Sequence, residues 1–468
     1  MGSERLNLVL VVLDGARADH LSCAGYRRET TPFLDQVARD GVRFTHMIAT
    51  APWTLPAHAS LFTGLYSVTH GATDENRFLS GRYPLLAEYL KTAGYRTAAF
   101  CTNPWVDPST GFGRGFDAFF TQRQQRLAAR ALQFGRRAGD RLLRRDDSGA
   151  RRSNHALRHW IAASDQPFFA FVHYNETRLP FHLRAPYDRL FMPRGIAPTR
   201  VRGVNQDDTK LMAGDAEMTE EDFAILTALY DGALRYADTR LREIAEFLQA
   251  RDEWNRTLFI VTADHGEHLG DRGMLGHQFA LSDAVLRVPL LLRCPPRLPQ
   301  GFVVEELAQT TDILPSVLRL LDVSDDAGHL QGRALLDAGR VTPGPSFTIS
   351  ERFRPPQAAL QRAAVRFDVR PFDVRQKAIR SKREKFIWRS DEANELYDLV
   401  LDPGETHNVA ASQPERADGL RRQLFDWLAE IEKAEVDAPA SPEAAERRPP
   451  QDPGVSAING NRRSMRKA

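Results

Sequence analysis

The chain has 468 residues, 42% of them hydrophobic and 26% charged, with 63 Lys+Arg against 61 Asp+Glu. That profile belongs to a globular protein with one large domain and a smaller one; it excludes disordered, collagen-like and membrane-spanning classes. A net charge of +2 speaks against whole-surface nucleic-acid binding, and three cysteines without CxxC spacing cannot staple a secreted scaffold.

The first apolar run, Leu8 to Leu13 in LVLVVLDGAR, is short and ends in an acid. It is too short for a membrane helix and no small-residue cleavage site follows it, so it predicts a buried strand and a cytoplasmic protein. TTPFLDQVARDG predicts a helix with Thr31 as N-cap, Pro32 in its first position and Gly41 just past its end. PLLAEYLKTAG repeats that grammar, and RTAAFC follows as the next strand. Residues 123–158 are Arg-dense and predict a helical insertion with a solvated basic face. PFFAFVHY (167–174), TLFIVTADHGE (257–267) and VPLLLRC (288–294) read as further buried strands. Before the last two, DFAILTALYDGALRYADTRLREIAEFLQAR predicts a long amphipathic helix with room for one break.

Residues 301–345 read as loop around one helix near TDILPSVLRLL, which closes a domain spanning 1–345. Short strands are expected at Ala363–Val369, Lys377–Ser381, Lys385–Arg389 and Glu395–Asp398, with a helix over Pro414–Lys433. They make a small antiparallel α+β unit over 346–434. Residues 435–468 are poor in large apolar side chains and read as a disordered tail. Alternating strands and helices over the first part predict an α/β sheet covered on both faces. Cys23, Cys101 and Cys294 read as buried small apolar residues.

Four positions carry chemistry. Asp14 closes the first strand, and ligands of open parallel sheets bind outside the carboxyl ends of strands; a capping acid is its other reading. Thr54, in APWTLPAHASLFTG, falls near a helix N-terminus, where backbone N–H groups favour an anion. Its hydroxyl there is either a cap or a nucleophile. Asp264 and His265 end a strong strand, with His268 and His277 near, and pair a hard oxygen with a borderline nitrogen suited to a metal. His173 and Arg178 follow the strand PFFAFVHY.

Together VVLDGARADHLSCAGY, TTPFLDQVARDGVRF, TLPAHASLFTG, DGALRYADTRL, TADHGEHLGDRG, LRVPLLLR and ELYDLVLDPGETHNVA resemble the sulfatase-like branch of the alkaline phosphatase superfamily, in order. The resemblance implies an α/β sandwich around a mixed, largely parallel sheet, with a small C-terminal antiparallel sheet plus helix. It implies that Asp14, Thr54, Asp264 and His265 hold one divalent metal ion. Thr54 stands at the nucleophile position of the C/S/T-x-P-x-R/H motif, and His58 takes the place of its Arg. His173 and His277 fall at leaving-group or anion contacts. Arg17 and Arg178 are substrate-binding candidates, Arg17 with a structural ion pair as its other reading.

Three departures shape the expectation. Thr54 replaces the Cys or Ser that sulfatases oxidise to formylglycine, so the usual sulfatase mechanism is not expected. Gly15 replaces a frequent second metal-binding Asp, which with His265 favours Mn²⁺ or Zn²⁺ over Ca²⁺. Arg178 replaces a His of the family's DPH motif. No Asp-x-x-x-His lies between Thr54 and Asp264, which favours one metal over two. The expected protein is therefore a metal-dependent hydrolase of phosphate, phosphonate or sulfate esters, with Thr54 forming a covalent intermediate on a small anionic ester. A phospho-group transferase using an alcohol acceptor, and a non-catalytic binding scaffold, are its alternatives. No nucleic-acid partner and no transmembrane segment are expected, and the oligomeric state stays open.

Overall fold

The computed structural model describes residues 5–121, 148–181, 185–325, 328–337, 339–354, 368–370 and 372–437. Its centre is an eight-stranded sheet of β1 (Asn7–Leu13), β2 (Val42–Ile48), β3 (Arg96–Cys101), β4 (Ala118–Thr121), β5 (Phe168–Tyr174), β6 (Thr257–Thr262), β7 (Arg287–Arg293) and β8 (Phe302–Gln309). The order across the sheet is β8-β2-β7-β6-β1-β5-β3-β4. All neighbours pair parallel except at β7, which runs antiparallel to both β2 and β6.

Burial explains the strand sequences. Every residue of β1, β5 and β6 is buried, which is why these central parallel strands are unbroken apolar runs. β2 and β8, which escape a search for such runs, sit near or at the sheet edge. β2 alternates apolar and polar residues in VRFTHMI, and β8 exposes Phe302, Val303 and Glu305 while burying Val304. The expected loop after 301 is thus corrected: an edge strand fills its first part.

Helices cover both faces. α1 (Pro32–Arg39) buries Phe33, Leu34 and Val37, yet Thr31 makes no side-chain cap. Its first N–H groups go instead to Asp238, whose carboxylate accepts from Phe33 at 3.0 Å and Leu34 at 2.9 Å. α2 (Thr54–Thr63) is buried along its whole length. α3 (Leu86–Thr92) and α4 (Ala150–Ala162) pack near β3. α5 (Glu220–Gln249) runs unbroken from a capping box made by Thr219 and Asp222, so the expected break is absent. Gly232 in its middle serves packing: a Cβ there would meet the Tyr187 carbonyl oxygen at 2.2 Å. α6 (Ile313–Leu320) is the helix expected near TDILPSVLRLL.

The second unit is a meander of β9 (Thr348–Arg352), β10 (Gln376–Arg380), β11 (Glu384–Arg389) and β12 (Glu395–Asp398), antiparallel throughout. Its two-residue period divides it cleanly. Ala378, Ile387 and Tyr397 join the main core, whereas their neighbours Ile379, Phe386 and Leu396 pack with Leu424 and Leu428 of α7 (Pro414–Asp437). The expected strand Ala363–Val369 falls mostly outside the described residues, as do residues 123–147 of the Arg-rich insertion and residues 438–468 of the expected tail. Cys101 and Cys294 are buried, and Cys23 is half-buried. Among the described residues no helix is long and apolar enough to cross a membrane.

Candidate active site

The carboxyl edge of the sheet brings the site together. Asp14 follows β1, His173 is the penultimate residue of β5, Asn103 lies two residues past β3, and Asp264 with His265 follows β6. These four strands are parallel neighbours, so their ends open side by side. Thr54 is the first residue of α2, where unpaired helix N–H groups point outward.

His265 sets the geometry. Its Nδ1 lies 2.8 Å from the Gly266 carbonyl oxygen, an acceptor, so Nδ1 carries the proton and Nε2 keeps its lone pair. That Nε2 stands 3.4 Å from Thr54 Oγ1, 3.4 Å from Asp264 Oδ2 and 3.6 Å from Asp14 Oδ1. Each carboxylate is anchored by its other oxygen. Asp264 Oδ1 accepts from the backbone N–H of His265 at 3.0 Å and of Gly15 at 3.3 Å. Asp14 Oδ2 accepts from Asn103 Nδ2 at 2.6 Å. The oxygens turned inward, Asp14 Oδ1 and Asp264 Oδ2, are buried and have no hydrogen-bond partner.

These atoms fit a divalent cation. A tetrahedral ion with ligand bonds of about 2.0–2.2 Å has ligand–ligand edges of about 3.3–3.6 Å, the spacing around His265 Nε2. Electrostatics points the same way. Burial and the nearby Asp14 charge push the Asp264 carboxyl up. Burial alone would raise Asp14 too, but Arg178 and then His265 hold it well below the usual carboxylate range. Two buried carboxylates this close need compensating positive charge.

Around that point stand the anion contacts. Arg178, on the loop after β5, reaches Thr54 Oγ1 at 3.2 Å and Asp14 Oδ2 at 3.6 Å. Asn103 Nδ2 lies 3.4 Å from the same hydroxyl. His277 stacks on His265 with centroids 4.0 Å apart; its Nδ1 is bonded to Glu267 Oε1 at 2.8 Å, and its buried Nε2 has no partner. Arg352 of β9 holds the following residue, donating from Nε to the Gln278 carbonyl at 2.7 Å. His277, Glu267 and Arg178 line a cavity of about 860 Å³ together with Asp207, Asp208 and Lys210.

His58 and His173, like Asp14, Thr54, Asp264 and His265, have no solvent exposure. His58 sits one turn into α2, its Nδ1 bonded to the Thr54 carbonyl at 2.8 Å, with Phe112 and Phe171 edge-on to its ring. His173 Nε2 is 3.7 Å from Asp14 Oδ2. Arg17 donates all five of its N–H groups to Asp19, Asp271 and the Glu267 carbonyl. His268 is likewise spent on Ser282 and Gly276. Two residues escape the sequence reading. Asn103 sits at a strand end just as Asp14 does, and Glu267 stands two residues past His265 inside TADHGE.

The sulfatase family model matches residues 6–323. The chain is 25% identical over 396 residues to the multifunctional alkaline phosphatase superfamily protein PehA of Trinickia caryophylli, covering 71% of this chain and 76% of that protein. It is 25% identical over 425 residues to the ulvan-active sulfatase of Formosa agariphila, covering 86% and 76%. Among solved structures it resembles the phosphonate monoester hydrolase of Agrobacterium radiobacter, with a TM-score of 0.74, 25% identity, and coverage of 91% of this chain and 96% of that one.

Proposed function

The chain belongs to the sulfatase family and is an ester hydrolase; within that family we propose that it cleaves phosphate and phosphonate esters ahead of sulfate esters, with Thr54 as nucleophile. The observation that carries this reading is the hydroxyl itself. Thr54 Oγ1 heads α2 and faces the lone pair of His265 and the guanidinium of Arg178. A threonine side chain is a secondary alcohol and cannot be oxidised to the aldehyde that sulfate-ester cleavage in this family employs. It can attack phosphorus directly. Resemblance to the phosphonate monoester hydrolase supports the same choice.

Asp14, Thr54, Asp264 and His265 are the residues that would hold the cation, with Mn²⁺ or Zn²⁺ preferred for the nitrogen ligand. A bound divalent ion supplies Lewis-acid charge that favours the ionised hydroxyl and neutralises the ester's oxygens. The chain's own groups do the rest. Arg178, Asn103 and the first-turn N–H groups of α2 orient the anion and stabilise charge building on its equatorial oxygens. Thr54 Oγ1 attacks in line and the alcohol leaves with a proton from His277 Nε2. Glu267 steadies the charged ring through Nδ1 against burial, His265 and Arg178, which push the His277 imidazole well below its ordinary range; burial also pushes the carboxyl of Glu267 up to about 7. Water then attacks the phosphothreonine, His277 takes a proton from it, and Thr54 is regenerated. The cavity beside His277 gives the leaving alcohol a polar, roomy site.

Turnover of matched aryl esters (phosphate monoester, phosphate diester, phosphonate and sulfate) after metal reconstitution tests the reading. Phosphorus esters should react, and Thr54→Ala should abolish that reaction. Reaction with sulfate alone would overturn it.

A further inference from the structure

Next to the cage around His265 lies a second set of candidate ligands. One ring nitrogen each from His58 and His173 and an oxygen of Asp264 lie within 4.8 Å of one another, all fully buried. The nucleophile's helix supplies His58, β5 supplies His173, and the end of β6 supplies Asp264. Their rings are 5.0 Å apart. His58 places Nδ1 3.6 Å from Asp264 Oδ2 and 2.8 Å from the Thr54 carbonyl oxygen, and its buried Nε2 has no partner. Neither nitrogen of His173 has a partner, and neither does Asp264 Oδ2. A buried imidazole left unsatisfied is destabilising, and an apolar residue of similar size would avoid that cost. Phe112 and Phe171 beside His58 show that the surroundings are suited to such a residue.

We propose that His58, His173 and Asp264 form a second divalent-cation site, sharing Asp264 with the first, and that it fills when an oxyanion occupies the active site. The inference rests on the proposed function, since it requires the first cation to bind at Asp14, Thr54, Asp264 and His265. Charge dictates the order of filling. Asp14 and Asp264 together neutralise one dication, and neither histidine adds negative charge. A second dication therefore lacks a counter-charge until a dianion such as phosphate arrives, and the two bind with positive linkage. Paired cations in hydrolytic sites stand about 3.5–4 Å apart, a separation that one shared carboxylate spans.

Equilibrium dialysis of the full-length protein against Zn²⁺, and in a parallel arm Mn²⁺, with metal counted by mass spectrometry, tests this. One equivalent per chain is expected without phosphate and two with saturating inorganic phosphate. His58→Ala and His173→Gln should each return the phosphate-saturated protein to one equivalent, with circular dichroism confirming that the variants are folded. If only one of them folds, that one decides. A single equivalent in the wild type with phosphate overturns the second site while leaving the proposed function standing. A second equivalent that survives in a folded variant overturns it as well. No bound metal at all sinks both readings.

Discussion

Two buried charge clusters in this molecule follow opposite rules. At the active site, Asp14 and Asp264 each turn one oxygen toward a point where no protein donor stands, and His58, His173 and His277 keep bare nitrogens there. At the seam between the main sheet and the small one, each charge faces its opposite. Lys385 of β11 is fully buried and stands 2.8 Å from Asp283 Oδ1, with Glu405 paired to it from the other side. Arg380 of β10 closes on Asp283 Oδ2 at 2.7 Å, and Glu405 also accepts from the Asp283 backbone N–H at 2.6 Å. Burial alone would raise Asp283, but Lys385 and Arg380 hold its carboxyl well below the usual range. A paired cluster needs nothing further and fastens one unit to the other. A cluster with buried, unpartnered lone pairs is organised around something the chain does not contain.

The comparison is broken most severely at Thr54. Thr54→Ala should lower kcat/KM on a phosphorus ester by about 10⁴-fold or more, while the melting temperature changes by no more than a few degrees. A loss of turnover matched by unfolding would show that the residue is structural. Lys385→Met sits at the opposite pole. It leaves Glu405 buried without its cation and Asp283 with Arg380 alone, and should cost about 3–5 kcal/mol in urea unfolding. Metal content per folded chain should not change; a fall in bound metal would show that the two clusters are not separate. Arg178→Ala should reduce kcat/KM by about 10²–10³-fold, because the variant loses a charge aimed at the ester's oxygens. Equal activity in wild type and variant would remove Arg178 from anion binding.

Glu267→Gln sharpens the account with the smallest effect. It weakens support for the protonated His277 ring, so slow-leaving alkyl alcohols should suffer about 10–100-fold and activated aryl leaving groups much less. Uniform loss across leaving groups would mean that Glu267 positions the loop and has no part in proton delivery.

Most of the central architecture was legible because fully buried parallel strands are conspicuous: β1, β5 and β6 each stand out as apolar runs ending in polar residues. β2 and β8 were not, since half-exposed strands mix Arg, Thr, His and Glu into the pattern. Thr31 looked like the cap of α1, but Asp238, some 200 residues away, takes that role. The residues of the cage were legible through strand-end position and through the family resemblance. Whether an arginine pairs or stays available was not. Arg17 and Arg178 look alike in sequence, and only the fold shows Asp19 and Asp271 closing on Arg17 while Arg178 reaches Thr54. Asn103 lay within reach of the rule that found Asp14. Lys385 did not, because nothing in a short strand announces a buried lysine.

The most direct test of the central claim is a rapid-quench experiment on the metal-reconstituted protein turning over an aryl phosphorus ester, followed by peptide mass spectrometry. A transient phosphoryl or phosphonyl group on Thr54, formed and lost at rates compatible with kcat, is the expected result. Steady product release with Thr54 unmodified, and no loss of turnover in Thr54→Ala, would contradict the assignment of this hydroxyl as the nucleophile.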